Sequence, residues 1–177
     1  MRVSVVGSSG SGKTTLGRAL AARTGAPFTE LDSIFHQPGW TELAEDEFRR
    51  RVSEVAAGDR WVIDGNYGAV RDIVLGRATD VVWLDYPRSL IMRRVIRRSA
   101  VRAVTRRELW NGNRERITSW LDAEHPIRWS WSTFHWRRAE YEARFTSAEH
   151  AHLQVVRLSN PREARSWLRT IAAEVLD

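Results

Sequence analysis

The chain has 177 residues and a mass of 20.4 kDa, and its 42% hydrophobic and 28% charged residues set aside collagen, a coiled-coil rod and a wholly disordered chain. It has no cysteine, which excludes disulfides, cysteine–zinc sites and thiol catalysis, and it has no apolar run near the roughly 20 residues of a membrane helix. The net charge is +6, and eight of the arginines fall between residues 88 and 107 with no acid among them, so the remainder is slightly acidic.

In chain order, Arg2–Val6 reads as a short buried strand, Gly7–Gly12 as a turn, and Thr14–Arg23 as a helix closed by Gly25. Pro27–Asp32 predicts a second strand, 41–57 a helix, Trp61–Asp64 a third strand and Asp80–Asp85 a fourth. Pro87 suits a helix start and opens an arginine-rich helix over 88–107. Five of the nine tryptophans lie between Trp110 and Trp136, around a stretch at 108–129 with no clear period. A helix over 130–148, a fifth strand over Leu153–Leu158 and a helix from Pro161 to about Leu176, capped by Asn160 and Glu163, complete the chain. Strands alternating with helices predict a single α/β domain over 1–177, with a parallel sheet covered on both faces. Ligands gather beyond the carboxyl ends of such strands, where Gly7, Asp32, Asp64 and Asp85 fall.

Gly7-Ser8-Ser9-Gly10-Ser11-Gly12-Lys13-Thr14, with Thr15 after it, fits the phosphate-binding pattern G-x-x-x-x-G-K-[ST] between a strand and a helix. Backbone N–H groups of such a loop curl around phosphate oxygens, and the helix N-terminus adds partial positive charge. Lys13 is the one lysine in a chain that otherwise uses arginine, and it is expected to reach the β- and γ-phosphates of ATP. The Thr14 hydroxyl and Asp64 are the expected Mg²⁺ ligands, with Asp85 the alternative carboxylate. Asp32, which shares a face with Glu30, would orient or deprotonate an acceptor hydroxyl. Arg94 and Arg98, four apart on one helix face and joined by Arg97, would meet charge on the transferring phosphoryl group.

Together these motifs resemble the adenylate-kinase-like P-loop kinases, which include shikimate- and gluconate-kinase types. Arg94 to Arg98 is similar to their lid-opening arginine pair. Arg137 and Arg138 ahead of Tyr141 resemble the arginine-bearing helix after the lid, and Glu30-Leu-Asp32 resembles the substrate-side acids of shikimate kinases. Leu31-Asp32, Pro38-Gly39-Trp40, Asp64-Gly-Asn-Tyr67 and Leu84-Asp-Tyr-Pro-Arg88 read more closely like bacterial "DNA topology modulation" proteins, a subfamily related to adenylate kinases. The resemblance implies a three-layer P-loop fold with a five-stranded parallel sheet, an Arg/Trp-rich helical lid near 99–135, and ATP with Mg²⁺. It further implies Arg138 as a third cation on the phosphoryl group, with Trp40, Asn66, Tyr67 and Arg71 around the acceptor. The expected activity is phosphoryl transfer from ATP·Mg²⁺ to a small hydroxyl- or phosphate-bearing acceptor, a nucleoside or nucleotide among the candidates. The alternative is an ATP-switched DNA- or RNA-binding protein acting through helix 88–107 and the tryptophans. No membrane partner is expected, and the glycine-rich turn directly after Val6 in place of a signal-peptide core gives a cytoplasmic expectation.

Overall fold

Five short apolar segments pair side by side in the computed structural model, which describes residues 1–105, 108–113 and 126–174. They are β1 (Arg2–Gly7), β2 (Phe28–Glu30), β3 (Trp61–Asp64), β4 (Asp80–Leu84) and β5 (Gln154–Leu158). Every pairing is parallel, and the order across the sheet is β2-β3-β1-β4-β5. Among the described residues, seven α-helices accompany it: α1 (Lys13–Thr24), α2 (Leu31–Phe35), α3 (Glu45–Ala56), α4 (Arg71–Arg77), α5 (Arg88–Thr105), α6 (Pro126–Phe145) and α7 (Pro161–Glu174).

The two-residue period of the strands sorts their side chains into two cores. Val3, Val5, Val62, Val82 and Leu84 pack with Leu16 and Leu20 of α1, Ile91 and Val95 of α5, and Leu168 of α7. Trp61, Ile63, Val81 and Trp83 face the other way, onto Phe48 and Val52 of α3, Val74 and Leu75 of α4, and Tyr141 of α6. The three-layer α/β architecture read from the sequence is the one observed.

Several boundaries differ from expectation. Leu31 and Asp32, predicted as strand, open α2, so β2 ends at Glu30. The predicted helix from 41 begins at Glu45. Residues 35–43 fold back on themselves instead, with Gln37 N–H donating to Thr41 O (2.8 Å) and Leu43 N–H to Phe35 O (2.9 Å). Gly39 and Trp40 take left-handed φ angles of 73° and 60° at the tip. The seven-residue α4 was not expected. The helix predicted over 130–148 runs over 126–145. Of the expected lid, 99–105 and 126–135 are turns of α5 and α6, while residues 106–107 and 114–125 lie outside the described residues.

Candidate active site

The phosphate loop leaves β1 at Gly7 and enters α1 at Lys13, so its N–H groups collect where the helix starts. Its backbone is tightly confined. Gly10 sits at φ 84°, and a Cβ there would lie 2.4 Å from Val95 Cγ2 of α5. Two arginines of the same helix fasten the loop. Arg94 Nη1 donates to Ser11 O and Arg98 Nη2 to Ser9 Oγ, both at 2.9 Å. Arg97, between them, is exposed. Lys13 folds back with its Nζ 3.4 Å from Ser8 O. Burial holds its ammonium pKa below the usual lysine value, an effect that Asp64 and Asp32 oppose and that Arg98 and Arg137 reinforce.

Asp64, at the end of β3, is buried beside this loop, only 3% exposed. The Thr14 hydroxyl donates to its Oδ2 at 2.6 Å, and Glu30 Oε1 lies 3.2 Å from the same hydroxyl. Asp64 Oδ1 is buried and has no hydrogen-bond partner among the described residues. Burial raises the pKa of this carboxyl, against the pull of Lys13 and Thr14. A buried carboxylate with an orphaned oxygen next to a threonine hydroxyl fits an Mg²⁺ ion delivered with a nucleotide. Among the described residues no three His, Cys, Asp or Glu side chains form a cation cage of their own.

These groups open onto one cleft of about 1140 Å³ that also exposes Asp32, His36, Tyr67, Arg102, Trp110 and Arg137. Asp32 lies at the first turn of α2, and Tyr67 Oη donates to its Oδ1 at 2.7 Å. Asn66 Nδ2 donates to Gly7 O at 2.5 Å. The segment 109–113 closes the far wall. Asn113 Nδ2 donates to Gln37 O (2.9 Å), its Oδ1 accepts from Trp40 N–H (2.8 Å), and Asn111 Nδ2 donates to Ser33 O (3.2 Å) and His36 O (2.5 Å).

Three expected site residues are placed elsewhere. Arg138 faces the end of β4, with Nη2 3.1 Å from Asp85 Oδ2, while its neighbour Arg137 lines the cleft. The helical period accounts for this, because consecutive residues of α6 point about 100° apart. Arg71 pairs with Glu140 at 3.3 Å and lines a small cavity behind Tyr67, outside the cleft. Trp40 is 40% exposed and packs edge-on against His36 and Trp110, so Trp110 presents its ring to the cleft instead. Asp85, the alternative metal carboxylate, is occupied by Arg157 (2.6 and 2.9 Å) as well as Arg138. Asp85→Asn is expected to cost about 2 kcal/mol in a denaturant titration, because it removes the buried carboxylate charge that pairs Arg138 and Arg157, although Arg157 keeps Glu142 at 3.1 Å. Nucleotide affinity should be unchanged.

Glu42, Glu108, His36 and Trp110 also face the cleft, and sequence reasoning did not single them out. Arg102 had a signal, since it continues the four-residue spacing of Arg94 and Arg98. The Asn111-Gly112 turn pair was the signal for the Trp110 wall.

The shikimate kinase family model matches residues 9–128. The chain belongs to the shikimate kinase family. The matched stretch holds most of the phosphate loop together with Asp32, Asp64, Arg94 and Arg98, whereas Arg137 lies beyond it. A shikimate kinase from Symbiobacterium thermophilum is 40% identical over 100 residues, which covers 48% of this chain and 58% of that protein. The alignment thus spans little more than half the length of this curated relative. Solved shikimate kinases share the fold at lower identity. The enzyme from Acinetobacter baumannii, in complex with shikimate, has a TM-score of 0.58 at 22% identity over 98% of this chain and 92% of its own. The enzyme from Bacteroides thetaiotaomicron has a TM-score of 0.59 at 18% identity over 100% and 99%. A gluconokinase from Sinorhizobium meliloti has a TM-score of 0.52 at 20% identity over 98% and 94%. Among the described residues no helix is long and apolar enough to cross a membrane.

Proposed function

We propose that this member of the shikimate kinase family transfers the γ-phosphoryl group of ATP to the hydroxyl of a small acceptor. The observation that carries the reading is the shared cleft. Lys13 and the Thr14–Asp64 pair stand at its phosphate end, and Asp32 is close enough to Lys13 for its charge to act on the ammonium. Family membership supports it.

The loop N–H groups and Lys13 hold the phosphates, and Arg94, Arg98 and Arg137 supply cations around the transferring group. Thr14 and Asp64 would hold Mg²⁺, which when bound neutralises charge on the phosphates. Asp32 accepts the acceptor's hydroxyl hydrogen bond and takes its proton as the hydroxyl oxygen bonds to the γ-phosphorus and the bond from that phosphorus to the ADP oxygen breaks. The Asn111 and Asn113 contacts hold the wall over this reaction, which limits access of water as a competing acceptor.

Shikimate is the first acceptor to try, given the family. The finer expectations of a nucleoside acceptor and of a "DNA topology modulation" identity rest on the motifs alone, and the relatives lend them no support. The same holds for nucleic-acid binding through α5. The test is ADP release from ATP·Mg²⁺ with shikimate, gluconate, neutral sugars and nucleosides. A rate that depends on shikimate or another hydroxyl compound is expected. ATP binding with no acceptor-dependent ADP release across the panel would overturn the reading.

A further inference from the structure

We infer that Tyr67 is a positioning residue for Asp32, and that the short run Asp64–Tyr67 sets the spacing between the phosphate end and the acceptor end of the cleft. The inference rests on the phosphoryl-transfer reading and goes beyond a lining role for Tyr67.

The run leaves β3 and touches three parts of the site in four residues. Asp64 accepts from the Thr14 hydroxyl at the end of the phosphate loop. Asn66 donates to Gly7 O at the start of that loop. Tyr67 donates to Asp32 across the cleft at 2.7 Å. Gly65 lets the run lie against the acceptor side. Its φ is 150°, and a Cβ there would stand 2.7 Å from Leu31 Cβ, on the residue before Asp32. Phosphate loop, metal carboxylate and acceptor carboxylate are therefore held by one stretch of backbone.

Tyr67 is itself fixed. Its ring packs on Phe35 and Phe48 with centroids 4.7 and 5.2 Å away. His36 Nε2 lies 3.4 Å from the phenol oxygen, and in the tautomer that carries its proton on Nε2 it donates there while the phenol donates to Asp32. The phenol proton stays in place, since burial and the Asp32 carboxylate both raise the Tyr67 pKa. One oxygen of Asp32 is thus engaged by a rigid donor, which leaves Oδ2 to meet the acceptor hydroxyl. A carboxylate free to rotate would spend much of its time in the wrong orientation, and small displacements from attack geometry are costly.

The test is a double-mutant cycle on the full chain, with shikimate and, in parallel, gluconate as acceptors. Tyr67→Phe keeps the packed ring and removes only the hydroxyl. It should lower kcat about 30-fold, in the range a roughly 1 Å misplacement produces, with KM for ATP unchanged within about twofold. In an Asp32→Asn background the same change should alter kcat by less than about twofold, because the hydroxyl acts through the carboxylate. Equal losses in both backgrounds, or a Tyr67→Phe enzyme within about threefold of the parent, would overturn the positioning role and leave the kinase reading intact. A parent chain with no acceptor-dependent transfer would overturn both.

Discussion

Lys13→Met is expected to abolish measurable phosphoryl transfer, a loss of about 10³-fold or more, while the thermal midpoint stays close to that of the parent chain. Among the described residues the ammonium makes one long hydrogen bond, 3.4 Å to Ser8 O, so little of the fold depends on it. Lys13 lines the cleft at the start of α1, beside the loop N–H groups. Burial, reinforced by Arg98 and Arg137, disfavours the charged form, and the carboxylates of Asp64 and Asp32 compensate only in part. Nucleotide phosphates would favour the ammonium, so the pKa rises when ATP binds and binding takes up a proton wherever the free protein has lost it. ATP affinity should therefore fall as pH rises through the lowered Lys13 pKa, and level off once pH passes the raised pKa of the ATP-bound form. In Lys13→Met that alkaline fall should vanish. Calorimetric titration of ATP across this range checks it, and an unchanged alkaline limb in the variant would assign it to another group.

Asp32→Asn is expected to reduce kcat by about 10² to 10³-fold with ATP affinity intact. The amide can still accept from Tyr67 through its oxygen, so the shape of the site persists and the proton-accepting charge is lost. Asp32 has no role in the core. It is half-buried at the first turn of a five-residue helix, and its hydrogen bonds stay within the acceptor loop and Tyr67. Single-turnover measurement of phosphorylated product separates the chemical step from product release. A kcat at the parent level would remove Asp32 from the reaction.

Much of the site could be read in the residue string, because its chemistry is local. The phosphate loop is eight consecutive residues, and it works through backbone N–H groups that any such turn presents. Asp64 ends an apolar strand, so its place at the carboxyl end of the sheet follows from the extent of β3. The acceptor side was less legible. Asp32 was found, although in a predicted strand where the chain begins α2. Its side-chain partner Tyr67 and the Trp110 ring stacked on nearby His36 come from two distant segments, and no spacing rule joins them to it. Arg71 and Arg138 were placed in the site by likeness of position, yet Glu140 and Asp85 draw them away.

Sequence periodicity and motif spacing were enough for the alternating strands and helices, the parallel sheet, the phosphate loop and the basic face of α5. Each is a property of neighbouring residues under a fixed backbone period. Which of two adjacent arginines enters the cleft, which carboxylate stays unpaired beside Thr14, and which oxygen of Asp32 remains for a substrate depend on side chains distant in sequence. Those choices are made by burial and charge pairing when the helices dock. Asp85 is neutralised by Arg138 and Arg157, while Asp64 is buried with one oxygen unmatched. Only packing in three dimensions separates a carboxylate held by structural ion pairs from one open to a ligand.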